Sequence, residues 1–599
     1  MAAFSCVSLQ LNGSVLKPFA SESFDRLKTS LSSTFKPFFN ELHQLQMKID
    51  VSQSMKNTSR KMLDAFVDSA FQFVDQPLLP SQSNLAPVEE IGEAVNVNSI
   101  EGEIPVDFPE GVYIRNGSNP LFGGLKSTVS SFGKTSQIWV EGEGMLHALY
   151  FRKNASGNWI VSYKNKFVES ESFKIEKERN MPVFLPNLEG DSLAILASNL
   201  INALRLGTIA KHYQNVNIFL HSGKLYATGD NYLPQEVGIS TLESLDYWDV
   251  NGAWDRPFTS HPKKAPGSGE LVMLGFDGMK PYCVVGVISA DGEKLLHKAD
   301  LKFNRSVLNH DIGVTQNYNV IIDHPLIVDI TRVIKGGQLM KYEEKETARI
   351  GVMPRYGSAE SVKWFEVEPN CTFHIVNCFE DSNEVVVRGC KAVTSIIPGP
   401  DWGQDKFEWF SKGFKSDDAD GLTENGYLLH RVHEWRLNVV TGEVKEKYLT
   451  GADCSMDFPF INEDVTGLKH KYGYTQVIDS LASSISGICK YGSVAKLHFN
   501  EEMSAFSKEG SNEQPVKAEY HKFPENTFCT GSTFVPKQGG VEEDDGLIIT
   551  FVHNEERNVS QVYIIDAKKF ESDPIAILTL PQRVPYGHHG VFVSMPNQA

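Results

Sequence analysis

The sequence predicts an all-β protein, because short strand-like runs with tight turns fill most of the chain. After about residue 100 these runs are rich in Val, Ile, Phe and Tyr and are separated by Gly, Asn, Asp and Pro, as in NVIIDHPLIVDI, NEVVVRGCKAV and GLIITFVHN. Long helical patterns are few. Strands that recur over such a length favour a sandwich array or a propeller, whose radial blades leave few exposed edges. No clean repeat is visible, which is compatible with a propeller of unequal blades.

The composition is that of a globular chain, and it narrows the range of partners. Charged residues are 22% and hydrophobic residues 41% of the 599 residues, which is enough apolar material for a large core. The net charge is -18 at pH 7 and no basic cluster is present, so nucleic acid is not an expected partner. The eight cysteines are scattered without a CxxC pair, which indicates a reducing compartment. The chain contains no run of about 18 apolar residues, so no membrane-spanning helix is predicted.

Residues 1–50 are predicted to be either an organelle transit peptide or a disordered tail. The first 40 residues hold eight serines and four basic residues but only two acidic ones, a bias that suits a transit peptide. A tail without a targeting role has the same kind of composition. Both interpretations stay open at this point.

Residues 51–84 are predicted to form an amphipathic helical segment followed by a lead-in to the main domain. Over residues 61–75, KMLDAFVDSAFQFVD, apolar side chains recur at intervals of three and four, which lines one face of a helix. Pro77 and Pro80 end this helix, and the SQSNLAPVEE run then extends toward the domain. The apolar face is expected either to pack on the domain or to touch a membrane.

A second apolar stripe interrupts the strand pattern. The segment SLAILASNLINALRLGTIAKHY carries leucines and isoleucines between residues 193 and 206, and it is typical of an amphipathic helix or a pair of turns inserted in a loop. Such a stripe either caps the core or dips into a membrane and admits a lipid-soluble substrate. Peripheral membrane contact through residues 193–206 is therefore one of two alternatives.

Four of the 17 histidines share a setting at or near a predicted strand, which makes them candidate metal ligands. They are His261 in TSHPK, His310 in LNHDIGV, His374 in CTFHIVN and His589 in YGHHGVF. Their separations of 49, 64 and 215 residues are far from the i, i+4 spacing of a helical zinc motif. A shared site would have to be assembled by tertiary folding, for instance by strands that converge on a propeller axis.

These four histidine motifs resemble those of the carotenoid cleavage oxygenases. NGAWDRPFTSHPKKAPGSGEL, VLNHDIGVTQNY, CTFHIVNCFED and LPQRVPYGHHGVF occur in the family's order, and GVYIRNGSNPLF and EGEGMLHALYF resemble two further signatures. Six separated motifs in matching order are far more specific than one short motif. The resemblance runs from about residue 85 to 595, so residues 85–599 are expected to be one domain. Its character is plant-type, which implies a plastid location, with the cytoplasm as the alternative.

The resemblance implies a seven-bladed β-propeller with Fe(2+) on its axis, held by His261, His310, His374 and His589 beneath a dome of loops and helices. Four neutral imidazoles suit divalent iron and leave one or two positions open for O2. The expected reaction is dioxygenase cleavage of a C=C bond in an apolar carotenoid or apocarotenoid to two carbonyl products, with no catalytic side chain beyond the metal centre. Two alternatives stay open: cleavage of a stilbene-like phenylpropanoid alkene, and a weakened propeller that binds an apolar ligand without turning it over.

Family members orient three of the histidines with carboxylates, and this chain departs from that pattern. Where the family has glutamate, the sequence places Asp230 in GDNYLPQE, Asp457 in MDFPFIN and Gly531 in CTGSTFVP. Each aspartate is about one methylene shorter than glutamate, so a direct hydrogen bond is expected to need a backbone shift or a bridging water. Gly531 has no side chain that accepts a proton. One imidazole is therefore expected to be held by a water or a backbone carbonyl, or else the iron is bound less firmly.

Overall fold

A computed structural model describes residues 53–76, 80–138, 140–392, 430–452, 454–486, 488–502 and 515–595 of the chain. These residues form 36 strands and five α-helices. The strands dominate, so the predicted all-β class is confirmed. The region 1–50, with its two interpretations as a transit peptide or a tail, lies outside the described residues.

The elements follow one another in a regular order. The helices are α1 (Gln53–Ala70), α2 (Glu171–Arg179), α3 (Ser192–Leu206), α4 (Ile330–Ile334) and α5 (Ser480–Ser486). The first strands are β1 (Phe71–Asp75), β2 (Val95–Asn96), β3 (Ser99–Gly102), β4 (Gly111–Asn119), β5 (Lys126–Ser130), β6 (Gly133–Ser136), β7 (Glu143–Lys153), β8 (Trp159–Phe167), β9 (Glu189–Gly190), β10 (Asn217–His221), β11 (Lys224–Thr228), β12 (Gln235–Val237), β13 (Ser244–Tyr247), β14 (Lys263–Lys264), β15 (Leu271–Phe276), β16 (Cys283–Ile288), β17 (Leu295–Asp300) and β18 (Gly313–Val314). The remaining strands are β19 (Tyr318–Asp323), β20 (Leu326–Val328), β21 (Met340–Tyr342), β22 (Ala348–Pro354), β23 (Lys363–Val367), β24 (Cys371–Asp381), β25 (Glu384–Ala392), β26 (His430–Asn438), β27 (Val444–Tyr448), β28 (Met456–Phe460), β29 (Tyr472–Ile478), β30 (Tyr491–Glu502), β31 (Val516–Lys522), β32 (Thr527–Pro536), β33 (Gly546–Asn554), β34 (Val559–Asp566), β35 (Ala576–Thr579) and β36 (Gly590–Ser594).

Seven sheets are the blades of a propeller. Blade 1 is β36-β4-β7-β8-β2, blade 2 is β10-β11-β12-β13, blade 3 is β14-β15-β16-β17, blade 4 is β18-β19-β22-β23, blade 5 is β24-β25-β26-β27, blade 6 is β28-β29-β30-β31 and blade 7 is β32-β33-β34-β35-β3. The inner strands contact one another in a ring, from β14 through β18, β24, β28, β32 and β36 to β10. Asn217 of β10 then donates a 2.7 Å hydrogen bond to the carbonyl of Ser260, just before β14. The seven-bladed propeller is confirmed.

Strands from both ends of the propeller domain close the ring. β36, near the carboxyl end, pairs antiparallel with β4, placing Val591 opposite Ile114. β3, near the amino end of the propeller domain, pairs with β35, placing Ile100 opposite Leu578. Since blades 1 and 7 each combine early and late strands, neither blade is complete without both ends of the domain.

The dome, defined as α1 to α4 with the small sheets β1-β5-β6-β9 and β20-β21, covers one end of the ring. Its buried apolar side chains include Ile195, Leu326 and Val328. They pack in one cluster with Leu308 and Phe373, which stand just before two of the predicted metal-binding histidines in the sequence. The dome therefore rests on the end of the axis where those histidines lie.

The predicted helix over residues 61–75 is wrong at its end, because α1 stops at Ala70 and residues 71–75 form β1. The FQFVD run also alternates, and β1 pairs antiparallel with β5, with Phe73 opposite Thr128. Burial of Val67 shows that α1 packs on the domain. Asp64 of α1 forms ion pairs of 3.2 Å with Arg179 and 2.9 Å with Arg205, which fix α1 to α2 and α3.

The apolar stripe at residues 193–206 is one helix, α3, rather than a pair of turns. Ile195 and Ile201 are buried, whereas Leu204 is 37% exposed. The helix ends where Gly207 adopts φ 79° and its N–H donates to the carbonyl of Ala203. Among the residues described here, no helix is both long enough and apolar enough to cross a bilayer.

Candidate metal centre

The four predicted histidines meet on the propeller axis beneath the dome. His261, His310 and His589 lie just before the inner strands β14, β18 and β36, whereas His374 lies within β24. One nitrogen of each ring lies within 4.8 Å of the corresponding nitrogens of the other three. The ring centroids of His261 and His589 are 4.3 Å apart. Strands from four different blades thus bring together residues that are far apart in the sequence.

The inward-facing nitrogens fit a metal ion. The Nε2 atoms of all four histidines are buried and have no hydrogen-bond partner among the described residues. Burial holds the pKa of His261 and of His589 well below the usual range and lowers the pKa of His374 to about 4. These three imidazoles are neutral at pH 7 and offer a lone pair to a metal. Burying a polar atom without a hydrogen-bond partner destabilises the fold. Four such nitrogens that face one another therefore suit a bound divalent ion.

Asp230 orients His310 directly. Its Oδ2 accepts a hydrogen bond of 2.6 Å from Nδ1 of His310, and its Oδ1 accepts one from the backbone N–H of Ser260. Asp230 adopts φ 62°, in the left-handed region that few residues other than glycine occupy. That backbone conformation places the short carboxylate within reach, so the bridging water named as one alternative is not needed.

Asp457 orients His374 in the same way. Nδ1 of His374 donates a 2.8 Å hydrogen bond to Oδ1 of Asp457. Burial opposes ionisation of Asp457, but nearby His374 and His430 hold its pKa well below the usual range. The ladder of β28 with β29 is irregular just after Asp457, and Phe458 adopts φ 53°. Irregularities of this kind change the direction of side chains next to functional sites. Here the irregularity brings the carboxylate of Asp457 into direct contact with His374.

Gly531 carries no counterpart of these aspartates, and the space beside it is filled. The residue adopts φ 72° at a break in the pairing of β32 with β33. A Cβ at this position would lie 2.4 Å from Cγ and 2.7 Å from Cδ of Arg115. The buried guanidinium of Arg115 donates instead to Oγ1 of Thr530 at 2.9 Å and to the carbonyl of Pro585 at 2.7 Å. The side chain of Arg115 therefore fills the space beside Gly531, and a larger residue does not fit at position 531.

His589 and His261 lack a carboxylate partner among the described residues. The ring of His589 stacks on Phe458, with centroids 4.8 Å apart and planes 29° from parallel. Nδ1 of His261 lies 3.5 Å from Nδ2 of Asn217, an amide nitrogen whose own hydrogen bond goes to the Ser260 carbonyl. The Phe458 ring and the Asn217 amide, rather than acidic side chains, contact these two rings.

His310 and His374, which have a carboxylate partner, also differ in their surroundings from His261 and His589. A cavity of about 570 Å³ is bordered by His261 and His589, but not by His310 or His374. It continues along the inner strands away from the dome, past Lys263, Asn377 and Val591. The two carboxylate-bound histidines are thus enclosed by protein, whereas the two others face open space on the axis.

Sequence reasoning missed three residues next to the metal centre: Phe458, Asp311 and Lys263. Phe458 also contacts the ring of His374, with centroids 5.0 Å apart. Asp311 and Lys263 form a 2.7 Å ion pair. Their closeness in sequence to Asp457, His310 and His261 was the available signal, but a neighbour of a ligand need not contact the site.

Comparison with known proteins identifies the family. The sequence model described as RPE65, Retinal pigment epithelial membrane protein, matches residues 85–594. The chain is 30% identical over 558 residues to the carotenoid 9,10(9',10')-cleavage dioxygenase 1 of Phaseolus vulgaris. The aligned region covers 90% of this chain and 94% of that protein. It is 29% identical to the chloroplastic 9-cis-epoxycarotenoid dioxygenase NCED2 of Oryza sativa subsp. japonica, over 90% of this chain and 88% of that protein.

A solved structure has the same fold. The lignostilbene dioxygenase of Pseudomonas brassicacearum superposes with a TM-score of 0.67 at 21% sequence identity, over 87% of this chain and 100% of that one. The sequence relatives and the family match span nearly the whole described propeller, including all four histidines. The chain therefore belongs to the RPE65 family of carotenoid oxygenases.

Proposed function

We propose that this protein is an Fe(2+)-dependent dioxygenase that cleaves a C=C bond of a carotenoid or apocarotenoid. The observation that carries the proposal is the convergence of four buried Nε2 atoms that have no hydrogen-bond partner among the described residues. Four imidazoles are a donor set suited to divalent iron. All four belong to inner strands or the turns just before them, so the rigid ring fixes their relative positions.

The reaction is balanced without a further reductant: one alkene and one O2 give two carbonyl products that contain both oxygen atoms. When bound, the iron supplies the activation of O2. Asp230 and Asp457 hold the Nδ1 protons of His310 and His374, which keeps the Nε2 lone pairs of those rings directed at the axis. The described residues thus bind and orient, and no acid or base is needed.

An apolar substrate is supported by the side chains beside the site. Phe373 lies 5.6 Å from the ring of His310, between ring centroids, and Phe458 lies 5.0 Å from His374. Phe458 also borders the axial cavity, whereas Phe373 packs in the buried cluster beneath the dome. An aromatic side chain beside the site suits a hydrocarbon chain. The sequence relatives named above act on carotenoids by name. The likeness to lignostilbene dioxygenase concerns the fold alone, so a stilbene-like alkene is the alternative substrate that the test below includes.

Helix α3 is proposed to touch a membrane peripherally and to admit a lipid-soluble substrate. Leu204 is exposed and Leu200 is only partly buried, whereas Leu193 and Leu196 pack against buried clusters. The carboxyl-terminal part of the leucine stripe of residues 193–206 is therefore available on the dome. An amphipathic helix of this kind lies in the interface of a bilayer. Replacing Leu204 with Glu would lower binding to neutral phospholipid vesicles if the proposal holds and would leave it unchanged otherwise.

A plastid location is proposed for the protein, with the cytoplasm as the alternative. It rests on the serine-rich, acid-poor composition of the first 40 residues and on the chloroplastic rice relative. A fluorescent fusion in plant cells tests it directly. The fusion should enter plastids with residues 1–50 and stay in the cytoplasm without them, whereas a cytoplasmic signal from both forms would contradict the proposal.

The activity is tested by aerobic incubation of iron-loaded protein with a panel of carotenoids, apocarotenoids and stilbenes, with the carbonyl products identified by mass. We expect carbonyl products from a carotenoid or apocarotenoid and none from the His310→Ala variant. The control is His297→Ala, because His297 lies in β17, the outermost strand of blade 3, where it bonds the carbonyl of Gly357. Stilbene products alone would favour the alternative substrate, and binding without turnover would identify a passive binder.

A further inference from the structure

Asp311 joins three of the four blades that carry metal-binding histidines. It follows His310 directly in the sequence and is 2% exposed. Its backbone pairs with His261 in a parallel bridge. Its Oδ2 accepts a 2.9 Å hydrogen bond from the N–H of Ile375, the residue after His374. Its Oδ1 accepts the N–H of Ile312 at 2.8 Å.

Lys263 completes this arrangement from blade 3. Its ammonium lies 2.7 Å from Oδ1 of Asp311, and its side chain is 23% exposed at the border of the axial cavity. Lys263 stands two residues after His261. The side chain of Asp311 therefore contacts blades 3 and 5 while its backbone belongs to the His310 turn.

The bond to Ile375 compensates for an irregular strand. The pairing of β24 with β25 breaks between Thr372 and Ile375, and again before Asn377. A break of this kind frees backbone groups from the ladder and changes the direction of side chains. His374 lies within the break, and Asp311 binds the N–H that follows it. The carboxylate thus fixes the distorted backbone at the point where His374 leaves the sheet.

We propose that Asp311, paired with Lys263, is a positioning residue that sets the relative places of His261, His310 and His374. The proposal rests on the proposed function, since it concerns the same metal centre. Asp311 does not touch the ligand nitrogens and acts through the backbone. Supporting groups around metal ligands commonly change affinity by about 10- to 100-fold when removed. Asp311 is expected to act with a strength in this range.

The test compares matched variants by iron affinity. Asp311→Asn keeps the shape of the side chain but turns an NH2 group toward the Ile375 N–H or toward both the Ile312 N–H and the Lys263 ammonium, depending on which way the amide lies. Lys263→Met removes the ammonium, and Lys263→Arg retains a cation. The control is Asp323→Asn, because Asp323 is also 2% exposed and pairs with Arg305 at 3.0 Å and Arg349 at 2.8 Å in the same blade as His310.

Three readouts separate positioning from simple stabilisation: Fe(2+) affinity by chelator competition, the spread of iron–nitrogen distances by X-ray absorption, and thermal unfolding of the metal-free protein. We expect Asp311→Asn to lower iron affinity about 10- to 100-fold and to widen the distance spread. Lys263→Met should do so more weakly, and Lys263→Arg should match the wild type. Asp323→Asn should lower only the unfolding temperature.

The proposal is overturned if Asp311→Asn and Lys263→Met bind iron within about twofold of the wild type and keep its distance spread, whatever their unfolding temperatures. Lys263→Met keeps the test valid if Asp311→Asn fails to fold, because Lys263 is partly exposed. A wild-type protein that binds no iron would overturn the proposed function itself. That outcome is visible before any variant is compared, so the two failures are distinct.

Discussion

Nδ1 of His310 donates a 2.6 Å hydrogen bond to Oδ2 of Asp230 across 80 residues of sequence. Oδ1 of the same carboxylate accepts the N–H of Ser260, next to His261. Asp230 follows β11, the second strand of blade 2, and its two partners belong to blades 3 and 4. One aspartate therefore joins three blades directly at the metal centre.

We expect Asp230→Asn to weaken iron binding about 10- to 100-fold, because in either orientation the new NH2 group would face one of the two N–H donors. Chelator competition measures the change. The control is Asp544→Asn, since Asp544 is also buried but pairs with Lys496 at 2.8 Å in blades 6 and 7. Equal iron affinity in the Asp230→Asn variant and the wild type would contradict the role assigned to Asp230.

The strand content of the fold could be predicted from sequence, but its boundaries and some contacts could not. Apolar runs such as β33 and β34 end at turn residues, so they are visible locally. The FQFVD run fits helix and strand periodicity alike, and only pairing of β1 with β5 decides between them. The blades share no clean repeat, so their number followed from resemblance rather than from periodicity.

The four histidines could be predicted because each lies in its own local motif, and Asp230 and Asp457 could be predicted as their partners. The way these short carboxylates reach the rings could not be predicted. Asp230 reaches His310 through a left-handed backbone, a conformation that side-chain length alone does not indicate. In the sequence, Gly531 stands where the family has a carboxylate. The structure shows that Arg115 occupies the space, a contact between residues more than four hundred positions apart.

A side chain at position 531 should destabilise the protein instead of restoring a ligand. In Gly531→Glu the new Cβ would meet Cγ of Arg115 at 2.4 Å, on a backbone with φ 72°. We expect a loss of about 2 to 5 kcal/mol in the free energy of unfolding, from overpacking and backbone strain together. Denaturant unfolding of the metal-free protein measures it.

The matched control for that prediction is Gly539→Ala compared with Gly531→Ala. Gly539 has a similar φ of 77° but nothing within 4 Å of its added Cβ. Its substitution should therefore cost only the left-handed strain, about 1 to 2 kcal/mol. If both alanine variants lose the same stability, Arg115 does not fill the space as described.

Acid should destabilise the metal-free protein through His374. Burial lowers its pKa from 6.5 to about 4 in the folded chain, so on acidification the unfolded chain takes up the proton first. Stability is therefore intact above pH 6.5 and falls as the pH drops toward 4, by up to about 3 kcal/mol for this group. Unfolding free energies from pH 7 to 4 measure the slope, which should be shallower in His374→Gln. An identical slope in the two proteins would show that His374 is not responsible.

Phe458 should control the orientation of His589, because no described carboxylate does so. The two rings stack with centroids 4.8 Å apart. We expect Phe458→Leu to lower iron affinity about 10-fold, by analogy with the loss of other groups that orient ligands. Phe460→Leu is the control, since Phe460 stacks on Tyr474 instead. Chelator competition should separate the two variants, and equal affinities would count against this role of Phe458.

The central claim is a four-histidine iron centre that inserts both atoms of O2 into a cleaved alkene. Its most direct measurement is the iron content of purified protein together with ¹⁸O analysis of the carbonyl products formed from a carotenoid or apocarotenoid under ¹⁸O2. We predict about one iron per chain, as one four-imidazole site allows, and label in both products. Full activity in a protein without iron, or label in only one product with solvent exchange controlled, would contradict the account.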